Sequence, residues 1–120
     1  MAKLLGPDFM VLQVRDLAAS QQYYAEAVGL ELAPRSQPNA VVFNTAPIPF
    51  AIRTPHVDLD ASSTLGWGTA LWFKADDADA LHASLVARGV TIVLPLQDGP
   101  FGRMFSFADP DGYVIAVHGG

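Results

Sequence analysis

The sequence predicts an α+β fold built from two copies of a strand–helix–three-strand unit. Two helical patterns, a hairpin near the end of the chain and an internal repeat support this prediction. The helical patterns run from Asp16 to Gly29 and from Asp77 to Gly89. Superposing the two aspartates gives an offset of 61 residues and aligns the strand, helix and hairpin of each half. One such unit cannot bury its sheet face alone, so pairing with a second unit is physically expected.

The first half predicts a strand at residues 9–14, followed by a helix with Asp16 at its N-cap and Gly29 at its end. Aspartate caps a helix by accepting a backbone hydrogen bond, and glycine tolerates the left-handed backbone that ends one. The next segments are predicted as an extended stretch at 30–33, a loop at 34–39, and strands at 41–44 and 50–54.

The second half repeats this order after residues 55–68, which have the composition of a linker. A strand is predicted at 69–75, a helix from Asp76 or Asp77 to Gly89, and an extended segment at 90–93 before a Pro/Gly loop. The whole chain, 1–120, is therefore predicted to be one domain with modules at about 6–55 and 67–118.

The last hairpin is predicted around the turn Asp109-Pro110-Asp111-Gly112. Proline presets φ at the second turn position, and glycine can take the positive φ that closes the turn. Apolar residues alternate with small or polar ones on both sides, as expected for an antiparallel hairpin with one buried face. Phe105, Phe107, Tyr113, Ile115 and Val117 are expected on that face.

Composition narrows the function classes. The net charge is −5 and the seven Lys and Arg residues are scattered, which argues against a nucleic-acid surface. The chain has no cysteine, so disulfides and thiolate metal sites are excluded. We find no signal-peptide pattern and no apolar run as long as the ~20 residues of a membrane helix. The sequence therefore predicts a soluble, cytoplasmic protein with no nucleic-acid or membrane partner.

Three stretches resemble the vicinal oxygen chelate superfamily, which includes glyoxalases, extradiol dioxygenases and bleomycin-resistance proteins. The stretch 14–30 resembles the first-helix signature of that family, and the stretches 88–90 and 101–112 resemble its second-half signature. The resemblance covers essentially the whole chain. It implies two βαβββ modules forming curved mixed sheets, with helices on the convex side and a cavity on the concave side.

In metalloenzymes of that superfamily, four His or Glu ligands come from the first, fourth, fifth and eighth strands. The corresponding positions here are occupied by Phe9, Ala51 or Arg53, Ala70 and Ala116. Phenyl, methyl and guanidinium groups are not ligands for a divalent cation. No metal and no other cofactor is therefore predicted, and no catalytic residue is assigned. The metal-free bleomycin-resistance branch is the nearest by this pattern.

Without a metal, the lining of the cavity decides the function. Strand alternation places one set of side chains towards the cavity, and aromatic residues of uncertain orientation extend it. The predicted ligand-binding residues are Phe9, Gln13, Phe43, Arg53, Trp67, Trp72, Phe101, Arg103, Met104 and His118. An aromatic groove with few polar groups suits a flat, partly apolar ligand. Trp72 is the strongest candidate, because its neighbours Leu71 and Phe73 already fill the buried face.

We therefore expect a non-catalytic protein that binds and sequesters an aromatic or peptidic small molecule of antibiotic type, as in bleomycin resistance. Two alternatives stay open at this point: a metalloenzyme of glyoxalase or dioxygenase type, and a metal-free lyase or isomerase in the same cavity. A homodimer is expected from the resemblance and from the open sheet edges of such modules.

Overall fold

The structure, a computed structural model, describes residues 2–119, except for the side chains of residues 35 and 36. The chain divides into two compact units between Leu59 and Asp60. Each unit contains one four-stranded mixed sheet and one principal helix, as the sequence predicts. A 3₁₀ turn at Leu59–Ala61 lies within the stretch 55–68 whose composition suggests a linker. The division into modules with the bounds predicted above stays a prediction.

The N-terminal unit has the order strand, helix and three strands. Its elements are β1 (Met10–Gln13), α1 (Leu17–Gln22), a π-helical turn (Tyr23–Ala27), β2 (Leu32–Gln37), β3 (Ala40–Phe43) and β4 (Phe50–Arg53). The strands lie in the order β1-β4-β3-β2; β1 pairs in parallel with β4, and the other pairs are antiparallel. The predicted cap is confirmed, because Ala19 N–H donates to Asp16 Oδ1 over 3.0 Å.

The core of this unit is a cluster of three buried rings between the helical segment and the sheet. The rings of Phe43 and Phe50 stack with centroids 5.8 Å apart, and that of Tyr24 lies 5.1 Å from Phe50. Phe43 and Phe50 are paired neighbours on β3 and β4, so their side chains share the helix-facing side of the sheet. The opposite side of the sheet is consequently left to Val11, Ala51 and their neighbours.

The C-terminal unit repeats the same plan. Its elements are β5 (Leu71–Lys74), α2 (Ala78–Ala87), β6 (Ile92–Gly99), β7 (Gly102–Ala108) and β8 (Val114–His118), in the sheet order β5-β8-β7-β6. Asp77 is the N-cap, with its Oδ1 3.0 Å from the donating Ala80 N–H. Leu85 of α2 packs in the core with Phe105, Phe107 and their neighbours, all of them buried.

The hairpin prediction is confirmed in detail. Gly112 has a φ of +98°, and its N–H donates to the carbonyl of Asp109 over 3.0 Å, which closes the turn. The buried carboxylate of Asp109 accepts from the N–H groups of Asp111 and Tyr113, both at 2.9 Å. All five residues expected on the buried face are buried: Phe105, Phe107, Tyr113, Ile115 and Val117.

Two predicted loops are wrong. Residues 34–37 belong to β2, and the Pro/Gly loop predicted after residue 93 belongs largely to β6, which continues to Gly99. Both strands lie at a sheet edge, where a proline without an N–H donor is tolerated. The register shifts along both strands, between Leu32 and Ser36 and between Ile92 and Gln97, and such irregularities accommodate Pro34 and Pro95.

Candidate functional site

A groove lies on the face of the N-terminal sheet that is turned away from the helix. Strand register explains its composition: β4 places Ala51 beside Val11 of β1 and Val42 of β3. The groove has a volume of about 490 Å³ and is lined by Asp8, Phe9, Val11, Gln37, Ala40, Val42, Pro49, Ala51 and Arg53. This volume lies within the range of small-molecule pockets. The floor consists of small apolar side chains, and two ionisable groups lie along it.

Phe9 and Arg53 are the two predicted site residues that line this groove. Phe9 is 62% exposed, so its ring is available for contact with a ligand. Arg53 is half-buried at the end of β4, and its Nε donates to the carbonyl of Thr54 over 3.0 Å. Within residues 2–119, its guanidinium makes no ion pair. Asp8 is exposed on the same groove.

Gln13 lies on the groove side of β1, but its side chain holds the following loop. Its Oε1 accepts from the backbone N–H groups of His56, at 2.6 Å, and Val57, at 3.3 Å. The amide oxygen that was expected to face a ligand is therefore occupied by the backbone of the loop. The alternation of side chains along β1 could not predict this contact, because the loop residues lie 43 and 44 positions away in the sequence.

Phe43 does not lie in the groove, contrary to the expectation from the sequence. It is 0% exposed and packs against Tyr24 and Phe50 on the other face of the sheet. The neighbouring Val42 faces the groove in its place. The structure shows the alternation, with Val41 and Phe43 buried and Val42 half-exposed, but the sequence does not, because residues 40–43 are all apolar.

An exposed aromatic cluster lies on the equivalent face of the C-terminal sheet. The ring centroids of Trp72 and Phe101 are 5.9 Å apart, those of Trp72 and His118 6.0 Å, and those of Phe101 and His118 5.7 Å. Trp72 is 43% exposed and Phe101 65% exposed. Three residues named from the sequence, which are far apart in the chain, are thus brought together as one patch.

Strand pairing sets the floor of this patch. β8 places Ala116 between Trp72 of β5 and Ser106 of β7, and it pairs His118 with Met104. Met104 therefore shares the face of His118, as predicted, and its Sδ lies directly against Gly99 in the β6–β7 hairpin. The buried Ser106 supplies a hydroxyl to this largely apolar floor.

Arg103 lies on the opposite, helix-facing side of β7, which corrects its expected place in the cavity. Its Nε donates to Asp79 of α2 over 3.0 Å, and its Nη1 donates to Asp98 of β6 over 3.2 Å. The hydrogen bonds to Asp79 and then to Asp98 raise the pKa of Arg103 above its ordinary value. The residue is therefore a half-buried link between helix and sheet.

Trp67 stands apart from the aromatic cluster. It lies between two glycines with positive φ, Gly66 and Gly68, and is 85% exposed. Its indole makes no ring contact or hydrogen bond with any residue between 2 and 119. Its predicted role as a ligand-binding residue therefore stays a prediction.

The residues at the family's metal positions do not fit a metal ion. Phe9 and Ala51 line the N-terminal groove, and Ala116 lies beneath Trp72, so these positions carry phenyl and methyl groups where donors would be needed. Over the described part of the chain, no group of three or more His, Asp or Glu residues is arranged to hold an ion.

Comparison with known proteins decides the family. The model of the Glyoxalase/Bleomycin resistance protein/Dioxygenase superfamily matches residues 6–117. The chain belongs to this superfamily. It is 31% identical to the anthracycline biosynthesis protein DnrV of Streptomyces peucetius, over 93% of this chain and 46% of that protein. The chain thus spans about half the length of this curated relative.

Two solved structures are similar over nearly the whole chain. A bleomycin-binding protein of Streptomyces verticillus, solved with copper(II)-bleomycin, is 25% identical, with a TM-score of 0.67 over 100% of this chain and 99% of that one. A lactoylglutathione lyase of Agrobacterium tumefaciens is 20% identical, with a TM-score of 0.71 over 99% of this chain and 96% of that one. The second similarity shows the shared fold alone.

No helix in residues 2–119 combines the length and the apolar character needed to cross a membrane.

Proposed function

We propose that this superfamily member is a binding protein for a flat, partly apolar small molecule of antibiotic type, aromatic or peptidic, which it sequesters without altering it. The observation that carries the proposal is the exposed cluster of Trp72, Phe101 and His118. Aromatic rings of this size are costly to leave in water, and a second ring system can cover them by stacking or edge contact.

Covering the cluster would supply a substantial part of the gross binding free energy, from which the cost of association is subtracted. If ligand and protein each bury about 100 Å² of apolar surface at the cluster, the gain is about 5 kcal/mol. Stacking geometry adds about 0.5–1.5 kcal/mol for a good aromatic pair. His118 then offers a polar group that orients the ligand against this surface.

The relatives support the same chemistry. One is named for anthracycline biosynthesis and another for bleomycin binding. These names supply the two compound classes, anthracyclines and bleomycin, with which the proposal is tested.

Tryptophan fluorescence tests the proposal, because the chain has two tryptophans and both can be replaced. In Trp67→Phe the emission reports Trp72 alone, and in Trp72→Phe it reports Trp67 alone. We expect an anthracycline or copper(II)-bleomycin to quench the first variant saturably and to leave the second unchanged apart from the inner-filter effect. Calorimetry with Trp72→Ala should show affinity reduced at least tenfold.

Recovery of the ligand separates binding from catalysis. Mass spectrometry should return the titrated compound unchanged after prolonged incubation with the protein. Conversion of the compound would instead support the metal-free lyase or isomerase. Stoichiometric divalent metal in the purified protein, with activity lost on chelation, would support the metalloenzyme. Absence of saturable quenching in Trp67→Phe across both antibiotic classes would contradict the proposal.

We also propose that the protein is a homodimer. The strand order leaves an edge strand on both sides of each four-stranded sheet, and such edges favour association. Sedimentation equilibrium of the full chain should give twice the monomer mass of 12.8 kDa. A monomer mass at every concentration measured would refute the assignment.

A further inference from the structure

Resting on the proposed function, we infer that the groove of the N-terminal unit takes the anionic end of an aromatic ligand, a carboxylate or phenolate, and that Arg53 pairs with it. The groove and the aromatic cluster are formed by different parts of the chain, residues 8–53 and residues 72–118.

The shape of the groove provides a place for one ring. Ala51 lies on its floor with Val11 and Val42 on either side, and Phe9 and Pro49 also line it. Arg53 is two residues further along the same strand and on the same face, a distance of roughly 6.6 Å. A ring lying over Ala51 therefore places a carboxylate on its edge within reach of the guanidinium.

The hydrogen bonding of Arg53 determines which ligand charge the groove favours. Its Nε is fixed by the carbonyl of Thr54, which leaves the two terminal nitrogens, and no ion pair holds them among the residues described. A guanidinium stays charged at every physiological pH, and its fork of N–H donors matches a carboxylate. In a half-buried, largely apolar groove, this charge favours an anion and repels a cation.

Asp8 does not cancel this preference. It lines the same groove but is exposed, and within the described residues it forms no ion pair with Arg53. A carboxylate in water is well screened at physiological ionic strength, whereas the half-buried guanidinium is screened less. The net charge of −5 opposes an anion at long range, so the preference must come from direct pairing with Arg53.

The test uses three probes of one shape: naphthalene-2-carboxylate, the neutral 2-naphthamide and the cationic 2-naphthylmethylammonium. Calorimetry on the full chain should show that the carboxylate binds about tenfold or more tightly than the amide, the usual effect of one charge-assisted hydrogen bond. The ammonium should bind most weakly. In NMR spectra, the Nε–Hε signal of Arg53 should shift with the carboxylate and not with the amide.

Variants locate the effect. Arg53→Gln should bring the ratio of carboxylate to amide affinity close to one, and Arg53→Lys should keep part of it, since the charge stays while the fork is lost. Arg88→Gln, which removes an exposed arginine of the other unit, should keep the full ratio and so controls for net charge. Thermal melting establishes that each variant is folded. If Arg53→Gln is unfolded, the affinity ratio measured with Arg53→Lys tests the inference.

The outcomes distinguish this inference from the proposed function. Equal binding of carboxylate and amide, a ratio unchanged by Arg53→Gln, or preference for the ammonium would overturn the inference, while antibiotic quenching of Trp72 would leave the proposed function standing. Failure of all three probes to bind below about 1 mM would also overturn it. Loss of antibiotic binding together with retained, Arg53-dependent carboxylate binding would overturn the proposed function alone.

Discussion

Phe9 and Phe43 are the same residue type on opposite faces of one sheet, and replacing each by alanine should have opposite consequences. Phe43 is fully buried in contact with Tyr24 and Phe50, whereas Phe9 is largely exposed on the groove. Truncating a buried phenylalanine costs about 3–5 kcal/mol, because transfer and cavity effects add. An exposed side chain costs about 0.5 kcal/mol or less.

This loss is a large fraction of a total stability of about 5–15 kcal/mol, so Phe43→Ala should be strongly destabilised. Phe43→Leu, which keeps most of the volume, provides a folded variant with a loss of about 1–2 kcal/mol. Urea unfolding followed by circular dichroism measures each change as a lower midpoint at constant slope. Binding of naphthalene-2-carboxylate provides the second readout.

We expect Phe43→Leu to lower the urea midpoint without changing the affinity of the folded fraction. We expect Phe9→Ala to lower the affinity without changing the urea midpoint. Equal destabilisation by Phe43→Leu and Phe9→Ala would refute the assignment of the two faces. So would a loss of affinity in Phe43→Leu that exceeds the loss in Phe9→Ala.

Three further predictions follow from contacts outside the groove. Asp109→Ala should destabilise the protein by about 2–4 kcal/mol, because the N–H groups of Asp111 and Tyr113 lose their acceptor. Asp109→Asn should destabilise it by less, because the side-chain oxygen of asparagine still accepts. Urea unfolding measures both losses, and equal losses would contradict the role of Asp109 as the acceptor. Gln13→Ala should increase hydrogen exchange at the amides of His56 and Val57 up to about tenfold, and unchanged exchange at both would contradict it. Arg103→Ala should leave ligand binding unchanged and lower the melting temperature slightly, less so in 1 M salt. Because the carboxylates raise the pKa of Arg103, its contribution is fully present below the ordinary arginine pKa and is lost only at strongly alkaline pH; a melting-temperature difference that vanishes between pH 6 and 9 would contradict this.

The sequence by itself determined the repeat, the helix caps and the last hairpin. The repeat is visible because the same order of local patterns occurs twice, and the caps and the hairpin depend on residues close together in the chain: Asp16 caps the turn that follows it, and Asp109 to Gly112 form their own turn. Such features are governed by local hydrogen bonding and backbone preference, which composition and spacing reveal.

Only the tertiary structure decided the extent of the edge strands and the role of several site residues. β2 and β6 run through Pro34 and Pro95 because a neighbouring strand pairs with them, and nothing within either segment indicates that pairing. Gln13 is held by a loop more than forty residues away, and Arg103 by Asp79 and Asp98 on other elements. A side chain's orientation is set by the partners that reach it, and these are known only once the chain has folded.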